Sequence, residues 1–294
     1  MKTIIAEKPS VAKEIAHIVG AGKREEGYMQ GNGYYVTWAF GHLVQPAMPE
    51  TYGMKGFHAE NLPVIPDPFV LVPRQVKTEN GYKPDAGVLA QIKIIGKLFD
   101  SSERIIVATD AGREGELIFR YLYEYLGCKK PFDRLWISSL TDSAIREGLA
   151  NLRNGKEYDN LYHAAKARSE ADWLVGINGT QALTIAAGRG TYSVGRVQTP
   201  TLGTLMVKVM QEIPEGSDIL FLTNAAYIQN FDKTPTAKSA NPDLIIQCIE
   251  EKKRHNSVGV KIVQYHKSPL LIETHDRATE AMAKTRKEFH QKNK

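Results

Sequence analysis

The 294-residue chain has little cysteine: only Cys128 and Cys248, and they form no CxxC pair. A zinc ribbon or a disulfide framework needs closely spaced cysteines, so neither is expected. No apolar run approaches the roughly 18 residues of a membrane span. The opening MKTIIAEKPS has one early lysine, then an acid and a proline, and lacks the long apolar core of a secretory signal. A soluble, cytoplasmic protein with no membrane partner is the expectation. There is no internal repeat, no low-complexity tract and no large charge excess. Lys plus Arg is 38 against 33 for Asp plus Glu, a net +5. That balance permits a polyanionic partner without requiring one.

What is present is ordinary globular composition, 42% hydrophobic and 24% charged, enough for one large domain or two smaller ones. Lys2 to Ala6 reads as a short buried strand. Pro9 and Ser10 open a helix with Val11, Ile15, Ile18 and Val19 on one side and Gly20 at its end. Tyr34 to Phe40 is a second strand candidate, and residues 42–87 read as loops and short elements. A helix is predicted over Gly87 to Phe99, then a strand from Arg104 to Thr109. The next helix starts near Arg113, carries Leu117, Ile118, Tyr121, Leu122 and Tyr125 on one side, and stops at Gly127. A strand at Arg134 to Ser138 and a Thr141-capped helix with Ile145, Leu149 and Leu152 inward complete the pattern. This alternation argues for an α/β fold, a parallel sheet with helices on both faces. From Tyr158 to Ala187 the chain reads as nearly continuous helix, so a second, mainly helical region begins near residue 153. After Leu202 the signals weaken, and Arg277 to Lys294 is a polar, basic end.

Two acids follow strands directly: Glu7 after the first, Asp110 after the strand at 104–109. Ligands of open α/β sheets usually sit beyond the carboxyl ends of the strands. If the two strands are neighbours, the carboxylates converge there, and with phosphate oxygens and waters they suit Mg²⁺. Equally, both acids could simply complement helix starts; Glu114 and Glu116 in the following turn could each add a ligand or serve as such helix-start charge. Gly112 and Gly115 would let backbone come close to a phosphate.

The runs AEKPS (Ala6 to Ser10) and TDAGREGELIFR (Thr109 to Arg120) resemble the Toprim domain of type IA DNA topoisomerases, on the topoisomerase III branch. The resemblance implies a Toprim-type sheet and a catalytic Mg²⁺ on Glu7 and Asp110, with Glu114 as the third acid of an Asp-x-Asp-x-Glu motif. Gly112 stands where the middle acid would be, a form found within the topoisomerase III branch, which puts a two-metal arrangement in doubt. Glu7 would also lie near the scissile phosphate and serve in proton transfer. Asn32 to Gly53 resembles the family too, making His42 a candidate DNA contact; read alone, it is a turn histidine bonded to backbone.

Ala167 to Thr184 resembles the long helix that follows the Toprim domain. Trp173, Ile177 and Gln181 share one side of it. The resemblance makes Trp173 a base-stacking residue and Gln181 a base contact; the composition alone equally allows Trp173 as core. Arg168, a further DNA-binding candidate, is spaced for an i,i+4 pair with Asp172. The run SVGRVQTPTL is the most specific match. Its Ser193, Val194, Gly195, Arg196, Val197 and Gln198 form a loop leading into a helix start at Thr199 and Pro200, where free N–H groups and the Arg196 charge can meet a phosphate.

The family cleaves single-stranded DNA with a tyrosine in a context like Tyr-Pro-Arg-Thr. After residue 202 only Tyr227 and Tyr265 occur, and neither has an arginine two places on. Lys267 to Phe289 weakly resembles the stretch just upstream of that tyrosine, so the chain is expected to stop before its nucleophile. Expected organisation is a Toprim metal-binding domain at 1–152, a helical DNA-binding region at 153–202 and a divergent, incomplete central region at 203–294. A stand-alone Toprim nuclease using water and a non-catalytic DNA-binding remnant are the alternatives.

Overall fold

The computed structural model describes residues 1–78, 81–188, 191, 193–195, 198–223, 228, 242–263, 268–274, 276–277 and 280. They divide into two compact units, 1–55 with 65–173, and 56–64 with 174 onward.

In the first unit the elements run β1 (Lys2–Ala6), α1 (Pro9–Val19), β2 (Lys23–Glu25), β3 (Tyr28–Gly31), β4 (Tyr34–Trp38), β5 (Val44–Pro46), β6 (Leu71–Pro73), β7 (Gln75–Thr78), β8 (Gly81–Pro84), α2 (Ala86–Asp100), β9 (Arg104–Ala108), α3 (Arg113–Tyr125), β10 (Phe132–Arg134), α4 (Asp142–Ala150), β11 (Arg153–Asn154) and the first half of α5 (Asp159–Ala187). Seven strands form one sheet in the order β11-β10-β9-β1-β4-β3-β2. The central four are parallel, with Ala6 level with both Trp38 and Ala108. β11 at one edge and β3 and β2 at the other are antiparallel. The sheet is therefore mixed rather than wholly parallel. The short links 26–27 and 32–33 are too brief for the crossover that parallel neighbours need, so those strands return as hairpins.

The period of two along the central strands sends alternate residues to opposite faces. Ile4, Ala6, Ile106 and Ala108 meet α1 and α4 through Val11, Ile15 and Ile145. Ile5, Ile105 and Val107 meet α2 and α3 through Ile92, Ile95, Phe99, Leu117 and Leu122. α1 begins at Pro9 and ends at Gly20 with φ 77, the left-handed region that favours glycine. Asp85 caps α2, accepting from the N–H groups of Gly87 and Val88. The predicted strand at 134–138 is instead Phe132–Arg134: Leu135 still donates to Val107, but the ladder ends there.

The second unit holds the rest of α5, then α6 (Gln198–Glu212), β12 (Asp218–Thr223), α7 (Pro242–Lys252) and β13 (Ser257–Ile262). β12 and β13 pair in parallel, Asp218 level with Ser257, with α7 in the crossover between them. Met206, Val207, Met210, Ile219, Cys248 and Val258 make a core of their own. A Cβ on Gly203 would stand 2.8 Å from Leu244, so glycine there permits the close packing of α6 on α7. Residues beyond 202, where periodicity was weak, thus carry an ordered β-α-β unit. No described helix is long and apolar enough to cross a membrane.

Candidate active site

β4 lies on one side of β1 and β9 on the other. The chain passes from β1 through α1 to one side, then through α2 to the other, so the strand order reverses between β1 and β9. A crevice opens at such a point. Glu7 follows β1 there directly, and Asp110 follows β9 after Thr109. The Asp110 N–H donates to Glu7 Oε2 at 3.3 Å. Lys8 Nζ lies between the two carboxylates, 3.7 Å from Glu7 Oε1 and 3.8 Å from Asp110 Oδ2. Glu7 is 13% exposed and Asp110 62%, so one carboxylate is held within the protein and the other faces outward. An ammonium drawn to that midpoint marks a place where positive charge is favoured.

Glu114 stands apart from this pair. Its carboxylate faces His42, Nε2 to Oε2 3.5 Å. Among the described residues no group of three or more His, Cys, Asp or Glu side chains is arranged to hold a metal ion. Glu116, the other acid of the turn, is fully buried and committed to arginines: Arg134 Nε at 2.9 Å and Arg120 Nε at 2.8 Å. Arg120 continues to Asp159 Oδ1 at 2.6 Å and the Gly155 carbonyl at 3.0 Å.

Arg134 is the main support of the turn that carries Asp110. It is wholly buried, and its guanidinium donates to the carbonyls of Val107 (3.1 Å), Thr109 (2.7 Å) and Asp110 (2.8 Å). Burial pulls its pKa down, and the Glu116 carboxylate pushes back. Gly115 completes the turn. A Cβ there would lie 2.1 Å from the Asp110 carbonyl oxygen, so only glycine lets the Asp110 backbone fold over the start of α3. The Thr109 hydroxyl donates to the Gly115 carbonyl at 2.7 Å and closes the loop.

Trp173 lies in the first unit. Its indole N–H donates to the Ala47 carbonyl at 3.0 Å, and its ring packs edge-on against Tyr52 and Phe69. These contacts anchor α5 to the loop after β5. Arg168 Nε lies 4.0 Å from Asp172, the i,i+4 pair read from the spacing. In the second unit Gln181 is 4% exposed and its Oε1 has no hydrogen-bond partner among the described residues. The loop at 193–195 lies on the later half of α5: the Val194 N–H donates to Thr180 Oγ1 at 3.0 Å. A Cβ on Gly179 would stand 3.0 Å from Val194, so that glycine allows the approach. Ser193 is exposed, and Val194 and Gly195 are half-buried. Arg196, Val197, Tyr227 and Tyr265 lie outside the described residues, and Gln198 is described only as the first residue of α6.

Residues 2–140 match the Toprim domain family, and residues 156–234 match the DNA topoisomerase family. The DNA topoisomerase 3 of Bacillus subtilis is 48% identical over 213 residues, covering 69% of this chain and 27% of that protein. The DNA topoisomerase 3 of Staphylococcus aureus is 44% identical over 231 residues, 78% of this chain and 31% of that one. Over the matched residues the chain is a homologue of the topoisomerase 3 enzymes. It spans 27 to 31% of the length of these curated topoisomerase 3 relatives. Among solved structures, a full-length topoisomerase I from Thermotoga maritima is a distant likeness, 21% identical with a TM-score of 0.43, over 71% of this chain and 29% of that one.

The topoisomerase 3 resemblance had pointed to Glu7 and Asp110, and the fold brings them together. Reading residues one at a time missed Lys8 and Arg134, and it named Glu116 without showing that it is buried against arginines. Lys8 had a signal, since it adjoins Glu7 in the post-strand loop. Arg134 had none, because an arginine at a strand end gives no sign of being buried.

Proposed function

We propose that this chain provides the metal-binding and strand-binding portion of a topoisomerase 3 cleavage centre, with Glu7 and Asp110 holding Mg²⁺ against a phosphate of single-stranded DNA. The observation that carries this reading is the pair of carboxylates at the reversal of strand order, with a lysine ammonium between them. The donor set fits. Both groups offer hard oxygen ligands, and two carboxylates leave positions for phosphate oxygens and water, the usual surroundings of Mg²⁺. Bound there, Mg²⁺ would draw off charge from the phosphate oxygens.

The chain's own groups then do the rest. Lys8 adds a fixed positive charge beside the same phosphate. Arg134 and Gly115 hold the Asp110 turn in place. Glu7, the more enclosed carboxylate, is assigned to proton transfer at the cleaved bond. Gln181 offers a buried oxygen with an open bond, which suits an amino group on a base edge. The segment from Ser193 to Gln198 is assigned to the DNA backbone, with Arg196 as its charge. Trp173 has its N–H engaged and its ring wedged between aromatics, which favours a structural role over base stacking. No residue here is assigned as the nucleophile, and the chain alone is expected not to relax supercoiled DNA.

Calorimetric titration of Mg²⁺ in the presence of a short single strand tests the site. Binding should be lost in the Glu7→Ala, Asp110→Ala double variant; unchanged binding would sink the proposal. A plasmid relaxation assay with protease digestion completes the test. Relaxation or a covalent tyrosine adduct would show that the chain is competent alone, and nicking without an adduct would favour a water-using nuclease.

A further inference from the structure

The other end of the same strands carries opposite chemistry. Strand pairing brings three separate segments together there: Arg104 at the start of β9, Lys129 and Lys130 just before β10, and Asn154 to Lys156 at the end of β11 and just beyond it. They surround a recess of about 420 Å³ walled by Tyr123 and Phe132. Arg104 is neutralised by a bidentate pair with Asp133. Lys129, Lys130 and Lys156 take part in no ion pair among the described residues. Glu157, next to Lys156 in the chain, is occupied in accepting the Asn154 N–H at 3.3 Å. The geometry is set from beneath. The Tyr123 hydroxyl donates to the Lys130 carbonyl at 2.8 Å, and the Lys156 N–H donates to Asn154 Oδ1 at 3.0 Å.

Three uncompensated ammonium groups around one recess repel each other, and a structure that gathers them gains when an anion enters. The recess has the volume of an ordinary ligand pocket. Lysines bind phosphate as point charges and need no planar partner. We propose that Lys129, Lys130 and Lys156 form a second phosphate-binding site, occupied by the phosphodiester backbone of a nucleic-acid segment other than the one at Glu7 and Asp110. β9 is five residues long, so at ~3.3 Å per residue the two sites are separated by about 17 Å along the strands. This site does not depend on the metal reading, because none of its residues touches the carboxylate end.

The test is fluorescence anisotropy of a labelled single-stranded oligonucleotide with the full chain, over a range of KCl concentrations, for wild type and the Lys129→Gln, Lys130→Gln, Lys156→Gln triple variant. Lys129 and Lys156 are exposed and Lys130 half-buried, and circular dichroism checks that the variant folds. Each lost phosphate contact lowers the slope of log K against log salt by about 0.7, so a total drop of about 2 is expected. Mg²⁺ binding in the triple variant should stay as in wild type. The Glu7→Ala, Asp110→Ala variant should instead lose Mg²⁺ binding and keep the slope. That contrast separates failure of this site from failure of the metal site. A slope unchanged in the triple variant overturns the proposal. It is equally overturned if inorganic tripolyphosphate binds wild type, is lost in the triple variant, and the DNA slope does not move, because the recess would then serve free polyphosphate.

Discussion

The two units treat buried polar groups differently. In the first, Arg134 and Glu116 are fully buried, and the guanidinium and carboxylate are matched bond for bond with each other, with Arg120 and with three carbonyls. In the second, Gln181 and His255 are buried, and each has an atom without a partner, Gln181 Oε1 and His255 Nδ1. These are the only two such atoms among the described residues. A saturated network fixes one geometry, whereas an open buried acceptor costs free energy until something donates to it. The first unit therefore sets its site with its own chain, and the second keeps a polar position that a ligand can complete.

The largest expected effect breaks the saturated side of this contrast. Arg134→Ala leaves Glu116 buried with part of its charge unmatched and should cost about 3–5 kcal/mol in urea denaturation. Arg134→Met combined with Glu116→Leu should recover much of that loss. If the single variant is as stable as wild type, the network does not organise the unit.

Gly115→Ala comes next. The added methyl must displace the Asp110 carbonyl, which is backbone and cannot swing away. A cost of about 1–3 kcal/mol is expected, together with weaker Mg²⁺ binding in calorimetry. Stability lost with Mg²⁺ affinity intact would show that the turn holds the fold without placing Asp110.

On the second unit, Gln181→Leu removes the open acceptor. The free chain should gain stability, by up to about 1 kcal/mol, while single-strand affinity falls. A destabilised variant with unchanged DNA binding would erase the contrast between the units.

The smallest effect concerns Asp85, which is half-buried. Hydrogen bonds from Val88 and Arg74 hold its carboxyl below the usual carboxylate range. Its contribution is therefore present above the unfolded-state pKa, near 4, and is lost as pH falls through the lower folded value. Asp85→Asn should lower the Tm slightly at neutral pH, and the difference from wild type should vanish in acid. A difference that persists in acid would assign the effect to packing.

Much of the first unit was legible in the residues. Lys2 to Ala6 and Arg104 to Ala108 are short apolar runs, and the helices after them carry helical periodicity and clear stops. The strand predicted at 134–138 was misplaced because Leu135, Trp136 and Ile137 have strand-forming side chains, while the ladder that would pair them ends at Arg134. The second unit was harder to read because Pro, Asn and Asp interrupt residues 214–243, and β12 has leucines on one face and Ile219 and Phe221 on the other, so no alternation marks it. The small core of β12 and α7 forms only when α6 joins them.

By itself, the sequence determined the alternation of strand and helix, the placing of Glu7 and Asp110 at strand ends, and the glycines that permit close turns. These are local properties, written in residue type and spacing. Only the tertiary structure decided that β1 and β9 are neighbours, that Lys8 lies between the two acids while Glu114 turns to His42, and that Arg134 is buried beneath Asp110. It also decided that three lysines from distant segments share one recess. Contacts of this kind depend on strand order and register, which bring together residues about 20 to 100 positions apart, and no local pattern encodes that pairing.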